Sequence, residues 1–322
     1  MKKQTHRILA FYLFTTIKNP QEEVSLHKSF CEKRNIKGRI YISEEGINGQ
    51  MSGTVQDAES YMEWLQCRDP FQSIEFKIDP YHEQAFEKLI IKYREQLVAL
   101  DQKVDLSLTG THLEPEAWKE MLEKEDKHLL IDVRNDYEWK VGKFENAETP
   151  ACSTFREFRT YAQELKNRID PSETPVMMYC TGGIRCEVYS ALLKEYGFKN
   201  VYQLKGGIIN YGKKVGAKHW LGKLFVFDDR MTTPISDQES TPVIGKCHRC
   251  QQPSESYYNC ANMDCNHLFL SCDSCLKELS GCCKEECLQA PRVRPFYEQN
   301  PHKPFRKWYR YFRMKFTPRK VS

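Results

Sequence analysis

The stretch that most constrains this 322-residue chain is Pro175-Val176-Met177-Met178-Tyr179, followed at once by Cys180-Thr181-Gly182-Gly183-Ile184-Arg185. A short continuous apolar run suits a strand buried on both faces. The two glycines allow backbone conformations that turn successive N–H groups into one concavity. Val188, Ala191, Leu192 and Tyr196 then continue a helix up to Gly197, whose unpaired N–H groups and positive dipole end face the same place. A thiolate there is stabilised, so Cys180 is expected to be a low-pKa nucleophile. Thr181, Gly182, Gly183, Ile184 and Arg185 form its anion cradle, with Arg185 closing the loop as a positive charge. The plainer alternative, a small buried hydrophobe, leaves the register of strand, Gly-Gly, arginine and helix unexplained. Cys186 falls in the first helical turn, either as a resolving thiol for Cys180 or as a packed residue facing the sheet.

Strand-like runs at Leu129–Val133 and Asn200–Leu204 and a helix over Pro115–Glu125 surround this loop. Their alternation predicts a parallel α/β domain over 114–220. Residues 101–113 look like a linker. Before it, Arg7–Phe14 looks like a central strand, Pro20 opens a helix, and two strands, Arg39–Ile42 and Gly49–Ser52, flank a turn at Ser43–Asn48. A helix over Val55–Gln66 and a strand at Ser73–Ile78 follow. This β-α-β-β-α-β order predicts a ferredoxin-like α+β sandwich over 1–100, with a further strand within Phe86–Val98.

Nine of the fourteen cysteines fall within about forty residues, inside a region spanning 245–290. Eight form close pairs: Cys247 with Cys250, Cys260 with Cys265, Cys272 with Cys275, and Cys283 with Cys287. Four pairs suffice for two closed tetrahedral zinc sites of four thiolates each. Cys282 or His267 could replace one ligand, and spacing leaves open whether pairs combine sequentially or crosswise. Disulfides and an iron–sulfur cluster are the alternatives.

Residues 291–322 hold ten Lys/Arg and one acid, a net +9. The rest of the chain therefore carries 38 of the 48 basic and 43 of the 44 acidic residues, a net −5. A basic arm on an acidic body suggests a polyanionic partner. Cations at Lys303, Arg306, Lys307, Arg310, Arg313 and Lys315 alternate with aromatics, a pattern suited to phosphates and unpaired bases of RNA. The longest apolar stretches, such as Ile8–Phe14, are too short to span a bilayer. The basic N-terminus lacks a small-residue cleavage site. The expectation is a cytoplasmic protein.

Leu130-Ile131-Asp132-Val133-Arg134-Asn135-Asp136-Tyr137-Glu138, Gly142 to Ala147, and Cys180 to Arg185 resemble a rhodanese domain, whose six-residue Cys-x4-Arg loop is associated with sulfur chemistry. One departure is Lys143-Phe144, where many rhodaneses carry His-Ile. With Ser43 to Gly49, Cys186-Glu187 and Gly281-Cys282-Cys283, the whole chain resembles the rhodanese-domain bacterial tRNA uridine hydroxylases. That resemblance implies tRNA as partner, 5-hydroxylation of the wobble uridine, O2 as co-substrate, and an electron donor it leaves unspecified. The rival expectation is a sulfurtransferase carrying persulfide sulfur on Cys180. A catalytically silent RNA-binding module is the third.

Overall fold

The computed structural model describes residues 3–124 and 128–298. The first unit begins with β1 (His6–Phe14) and α1 (Pro20–Glu32), then β2 (Lys37–Ser43), β3 (Gly46–Thr54) and α2 (Val55–Gln66). β4 (Glu75–Tyr81) and β5 (Leu89–Tyr93) complete it. Strand order is β4-β1-β3-β2-β5, with only the β2–β5 pair parallel. The βαββαβ expectation thus holds, and the added strand is confined to the middle of Phe86–Val98.

Strand alternation divides this sheet into two faces. Leu9, Phe11, Ile40, Ile42, Ile47 and Met51 are buried in one core with residues of α1 and α2. Pro20 starts α1 at a position where its missing N–H is not needed. α1 buries Val24, His27 and Cys31, and α2, capped by Thr54 Oγ1 accepting from the Asp57 N–H, buries Ala58, Tyr61 and Leu65. The opposite face of the sheet is left for a different partner.

The turn read as Ser43–Asn48 is shorter than expected, because Ser43 pairs with Gly46 and only Glu44 and Glu45 intervene. Gly46 has φ 141°, and a Cβ there would lie 2.0 Å from the Leu13 carbonyl oxygen. Glycine alone lets the strands continue to that point.

The stretch read as a linker supplies β6 (Thr111–Leu113), the edge of the second sheet. α3 (Pro115–Leu122), β7 (Leu129–Asp132), α4 (Asp136–Trp139), β8 (Gly142–Phe144) and α5 (Phe158–Arg168) follow. Next come β9 (Val176–Tyr179), α6 (Ile184–Glu195), β10 (Val201–Leu204) and α7 (Gly207–Lys214). The order β6-β10-β9-β7 is wholly parallel. β9 is covered on both sides: Val176 and Met178 join the core of α5 and α6, while Met177 and Tyr179 join that of α3 and α7. That double burial is why its sequence shows no polar alternation.

β11 (Trp220–Gly222) pairs antiparallel with β8, and β12 (Leu224–Phe225) pairs with β13 (Thr232–Thr233). β14 (Tyr257–Asn259), β15 (Leu268–Leu270) and α8 (Asp273–Glu278) frame the cysteine-rich region.

Candidate active site and metal centres

Cys180 lies where β9 ends and α6 has not yet begun, and it is fully buried. Gly183 adopts φ 107°, which turns its N–H onto the Cys180 sulfur at 3.1 Å. Burial pushes the Cys180 thiol up. The Cys186 thiol donating to it, the Arg185 charge and the N–H groups of Gly183 and Arg185 outweigh that, and hold it at about 5 against an ordinary 9.0. The Cys186 thiol is pushed up, by burial first and by the Cys180 charge it faces. The two sulfurs share one proton, and it stays on Cys186. Cys186 is thereby both a packed core residue and a donor to Cys180.

Arg185 does not stand as a free charge. Its guanidinium grips the Glu138 carboxylate with both terminal nitrogens, Nη2 at 2.8 Å from Oε1, and Thr181 Oγ1 donates to the same oxygen at 3.0 Å. Burial pushes the Glu138 carboxyl up, but Arg185 outweighs it and keeps the group ionised. Glu138 also closes the capping box of α4 with Asn135, so one carboxylate ties the helix start to the cradle. Asp132 and Arg134 form a separate, fully buried ion pair in which Arg134 Nη2 also donates to the Gly142 carbonyl at 2.6 Å. That motif holds β7 to β8 and does not touch the sulfur. Phe144, the departure from the rhodanese pattern, is buried among Tyr179, Tyr211 and Trp220 with ring centroids 4.9–5.2 Å away.

The free face of the N-terminal sheet closes over the loop. A cavity of about 360 Å³ lies between them, with Cys180, Thr181, Gly182 and Arg185 on one wall and Tyr12, Tyr41, Asn48 and Lys77 on the other. Tyr12 Oη donates to Glu187 Oε1 at 3.0 Å and pins the two units together. Glu187 also accepts from Thr109 Oγ1 at 2.8 Å and meets His112 Nε2 at 2.8 Å.

The eight paired cysteines assemble into two groups: Cys247, Cys250, Cys272 and Cys275, and Cys260, Cys265, Cys283 and Cys287. Pairs one and three combine, as do two and four, which is the crossed arrangement. In each group the four sulfurs lie within 4.8 Å of one another, with Cys250–Cys272 at 3.6 Å and Cys265–Cys283 at 3.7 Å. A tetrahedron of ~2.3 Å metal–sulfur bonds has an edge of about 3.8 Å, so each group fits a single metal ion. All eight are free thiols. Cys282 and His267 belong to neither group. The tail residues Lys303, Arg306, Lys307, Arg310, Arg313 and Lys315 lie outside the described residues, and no helix among the described residues is long and apolar enough to cross a membrane.

Three family models match in succession: the UPF0176 acylphosphatase like domain at 6–97, the Rhodanese-like domain at 114–214 and the Rhodanase C-terminal at 221–288. The tRNA uridine(34) hydroxylase of Protochlamydia amoebophila is 60% identical over 306 residues, 95% of each chain. That of Chlamydia pneumoniae is 55% identical, covering 93% of this chain and 92% of its own. The chain belongs to the tRNA uridine(34) hydroxylase family.

In this hydroxylase-family chain the sequence pointed to the Cys180 loop but not to what surrounds it. Glu138 sits inside the stretch that resembles a rhodanese, yet no local signal ties it to Arg185, 47 residues on. Asn48 lies in the motif quoted for the first domain, where it looked like turn material. Tyr12, Tyr41 and Lys77 lie on the strand face turned away from α1 and α2, and no local signal in the sequence shows that a second unit covers them.

Proposed function

We propose that this chain hydroxylates the wobble uridine of tRNA at C5, with Cys180 as covalent nucleophile. The reading is carried by one observation: a thiol held at about 5 at the wall of a cleft that a second unit closes. At neutral pH the sulfur is a thiolate and needs no base to activate it. Its addition to uracil C6 moves the ring electrons toward C5 and O4, and makes C5 the nucleophilic carbon. C5 then takes one oxygen atom from O2. The other leaves as water, using two electrons from an external reductant and two protons. Loss of the C5 proton and departure of the thiolate restore the ring. The loop N–H groups that lower the thiol pKa make the sulfur a good leaving group for that last step.

The sulfurtransferase alternative requires only the loop. It gives no task to the amide, aromatic and cationic side chains that face the sulfur from the N-terminal sheet. The two cysteine groups would hold zinc; with four protein thiolates each, the ions supply folding energy and have no open position for substrate. The cationic tail would contact tRNA phosphates, and the enzyme would act in the cytoplasm, where its substrate is.

The test is nucleoside mass spectrometry of tRNA after reaction with the parent and with Cys180→Ser, both shown to melt alike. The parent forms 5-hydroxyuridine and the variant does not. Equal yield from the variant, or none from the parent with O2 and a reductant supplied, ends this reading.

A further inference from the structure

The N-terminal sheet faces Cys180 with side chains whose arrangement follows from strand register. Tyr12 pairs with Asn48, and Asn48 pairs in turn with Tyr41. These three form one row on the face opposite α1 and α2. The next row on that face runs from Lys77 through Ala10 and Gln50 to Arg39. Its two cations stand three strand spacings apart, roughly 14 Å. Both rows line the cavity that contains Cys180.

Several of these groups have no structural employment. Among the described residues, the Asn48 carboxamide makes no hydrogen bond, and neither Arg39 nor Lys77 has a carboxylate within ion-pair reach. Lys77 Nζ lies 5.1 Å from the centroid of the Tyr12 ring; burial lowers its pKa, and the Cys180 sulfur is the foremost of the charges that favour its charged form. Tyr12 is committed, through its bond to Glu187. The Tyr41 ring carries Arg94 5.1 Å from its centroid and still lines the cavity. A free amide, an aromatic ring and two cations with no carboxylate partner around one reactive sulfur have the chemistry of a nucleotide site. The amide suits a base edge, the ring a base face, and the cations phosphates on either side.

We propose that the free face of the N-terminal sheet is the uracil-recognition surface, with Asn48 on the base edge, Tyr41 on its face, and Lys77 and Arg39 on the flanking phosphates. This deepens the function proposed above and rests on it for the identity of the base. The ring geometry of uracil agrees with the placement. A carboxamide meets N3–H with its oxygen and O4 with its NH2, as bidentate amides do with base edges. C6 is the ring corner opposite N3. A base anchored at N3 by Asn48 therefore carries C6 away from the sheet and toward the wall that holds Cys180, where the sulfur adds to C6 from a ring face. Tyr41 covers one face of the base and leaves the other to the sulfur. The cavity, at about 360 Å³, is within the size range of pockets that enclose one small ligand.

The experiment uses the full chain and two RNA probes, an anticodon stem-loop with uridine at the wobble position and the same stem-loop abasic there. The parent should bind the uridine probe about tenfold or more tightly than the abasic one, since a stacked, edge-bonded base contributes at least that factor. Asn48→Asp keeps the side chain's size but offers only acceptors; it and Tyr41→Ala should lose that preference. Tyr41→Phe should keep it, and Lys77→Gln with Arg39→Gln should weaken both probes equally. Asn48→Asp should melt with the parent, so that a disturbed fold is not mistaken for a broken bond to the base. The proposal is overturned if Asn48→Asp and Tyr41→Ala discriminate the probes as the parent does, or if Tyr41→Phe fails as fully as Tyr41→Ala. Because binding is read without turnover, a parent that discriminates the probes but forms no 5-hydroxyuridine refutes the reaction while supporting the recognition surface.

Discussion

Cys186→Ala tests the electrostatics of the loop most directly. Holding the Cys180 thiol at about 5 instead of 9.0 favours thiolate over thiol by about 5 kcal/mol, at 1.36 kcal/mol per pH unit. Cys186 is the foremost of the groups that lower it. A hydrogen bond to a charged acceptor contributes about 1.5–3 kcal/mol, and a thiol is a weak donor, so its removal should cost about 1.5 kcal/mol. The Cys180 midpoint should therefore rise by roughly one pH unit. The assay is the rate of iodoacetamide labelling from pH 4 to 9, followed on the Cys180 peptide by mass spectrometry so that the other thirteen cysteines do not interfere. The parent should be half-maximal near 5 and the variant near 6. The sign also fixes a stability effect. The depressed thiol stabilises the fold fully above pH 9, progressively less from 9 to 5, and not at all below 5. The stability gap between parent and Cys180→Ser should close over that window. A parent midpoint between 8 and 9, or one that Cys186→Ala leaves unmoved, would refute the account of the loop.

The purified protein should contain two zinc ions per chain, and Cys247→Ser should lower this to one, because Cys250, Cys272 and Cys275 lose their fourth ligand. Metal analysis finding iron, or two ions retained in the variant, would count against the assignment. In the tail, changing Lys303, Arg306, Lys307, Arg310, Arg313 and Lys315 together to Gln should flatten the log–log salt dependence of tRNA affinity by roughly one unit for each phosphate no longer neutralised. Affinity equal to the parent at moderate salt would make the tail a solvated surface only.

What could be read from the sequence was what local physics encodes. Proline at the start of α1 and the nearly unbroken apolar runs of β1 and β9 identified those elements, because backbone restriction and burial are written locally. β6 escaped notice because Thr111 and His112 are exposed and only Leu113 is partly covered; an edge strand paired on one side leaves no hydrophobic pattern. The turn after β2 was read too long because composition marks polar residues, while the backbone freedom of Gly46 decides where pairing begins. The cysteine pairs were legible from spacing, yet their crossed combination follows from how β14, β15 and α8 bring distant pairs together. Glu138 was invisible as a partner of Arg185, since a buried ion pair across 47 residues exists only after β7 and β9 have been laid side by side.

A Cβ at Gly183 would lie 2.8 Å from Tyr12 Oη, closer than such atoms ever approach. The sulfur loop and the sheet above it are thus cut to one another like two halves of a mould. A rhodanese domain grafted in from another protein, with any larger residue at this position, would have to push the Tyr12 phenol aside and with it the bond to Glu187 that ties the sheet to the loop. A working chimera must keep glycine here or give up the Tyr12–Glu187 bond.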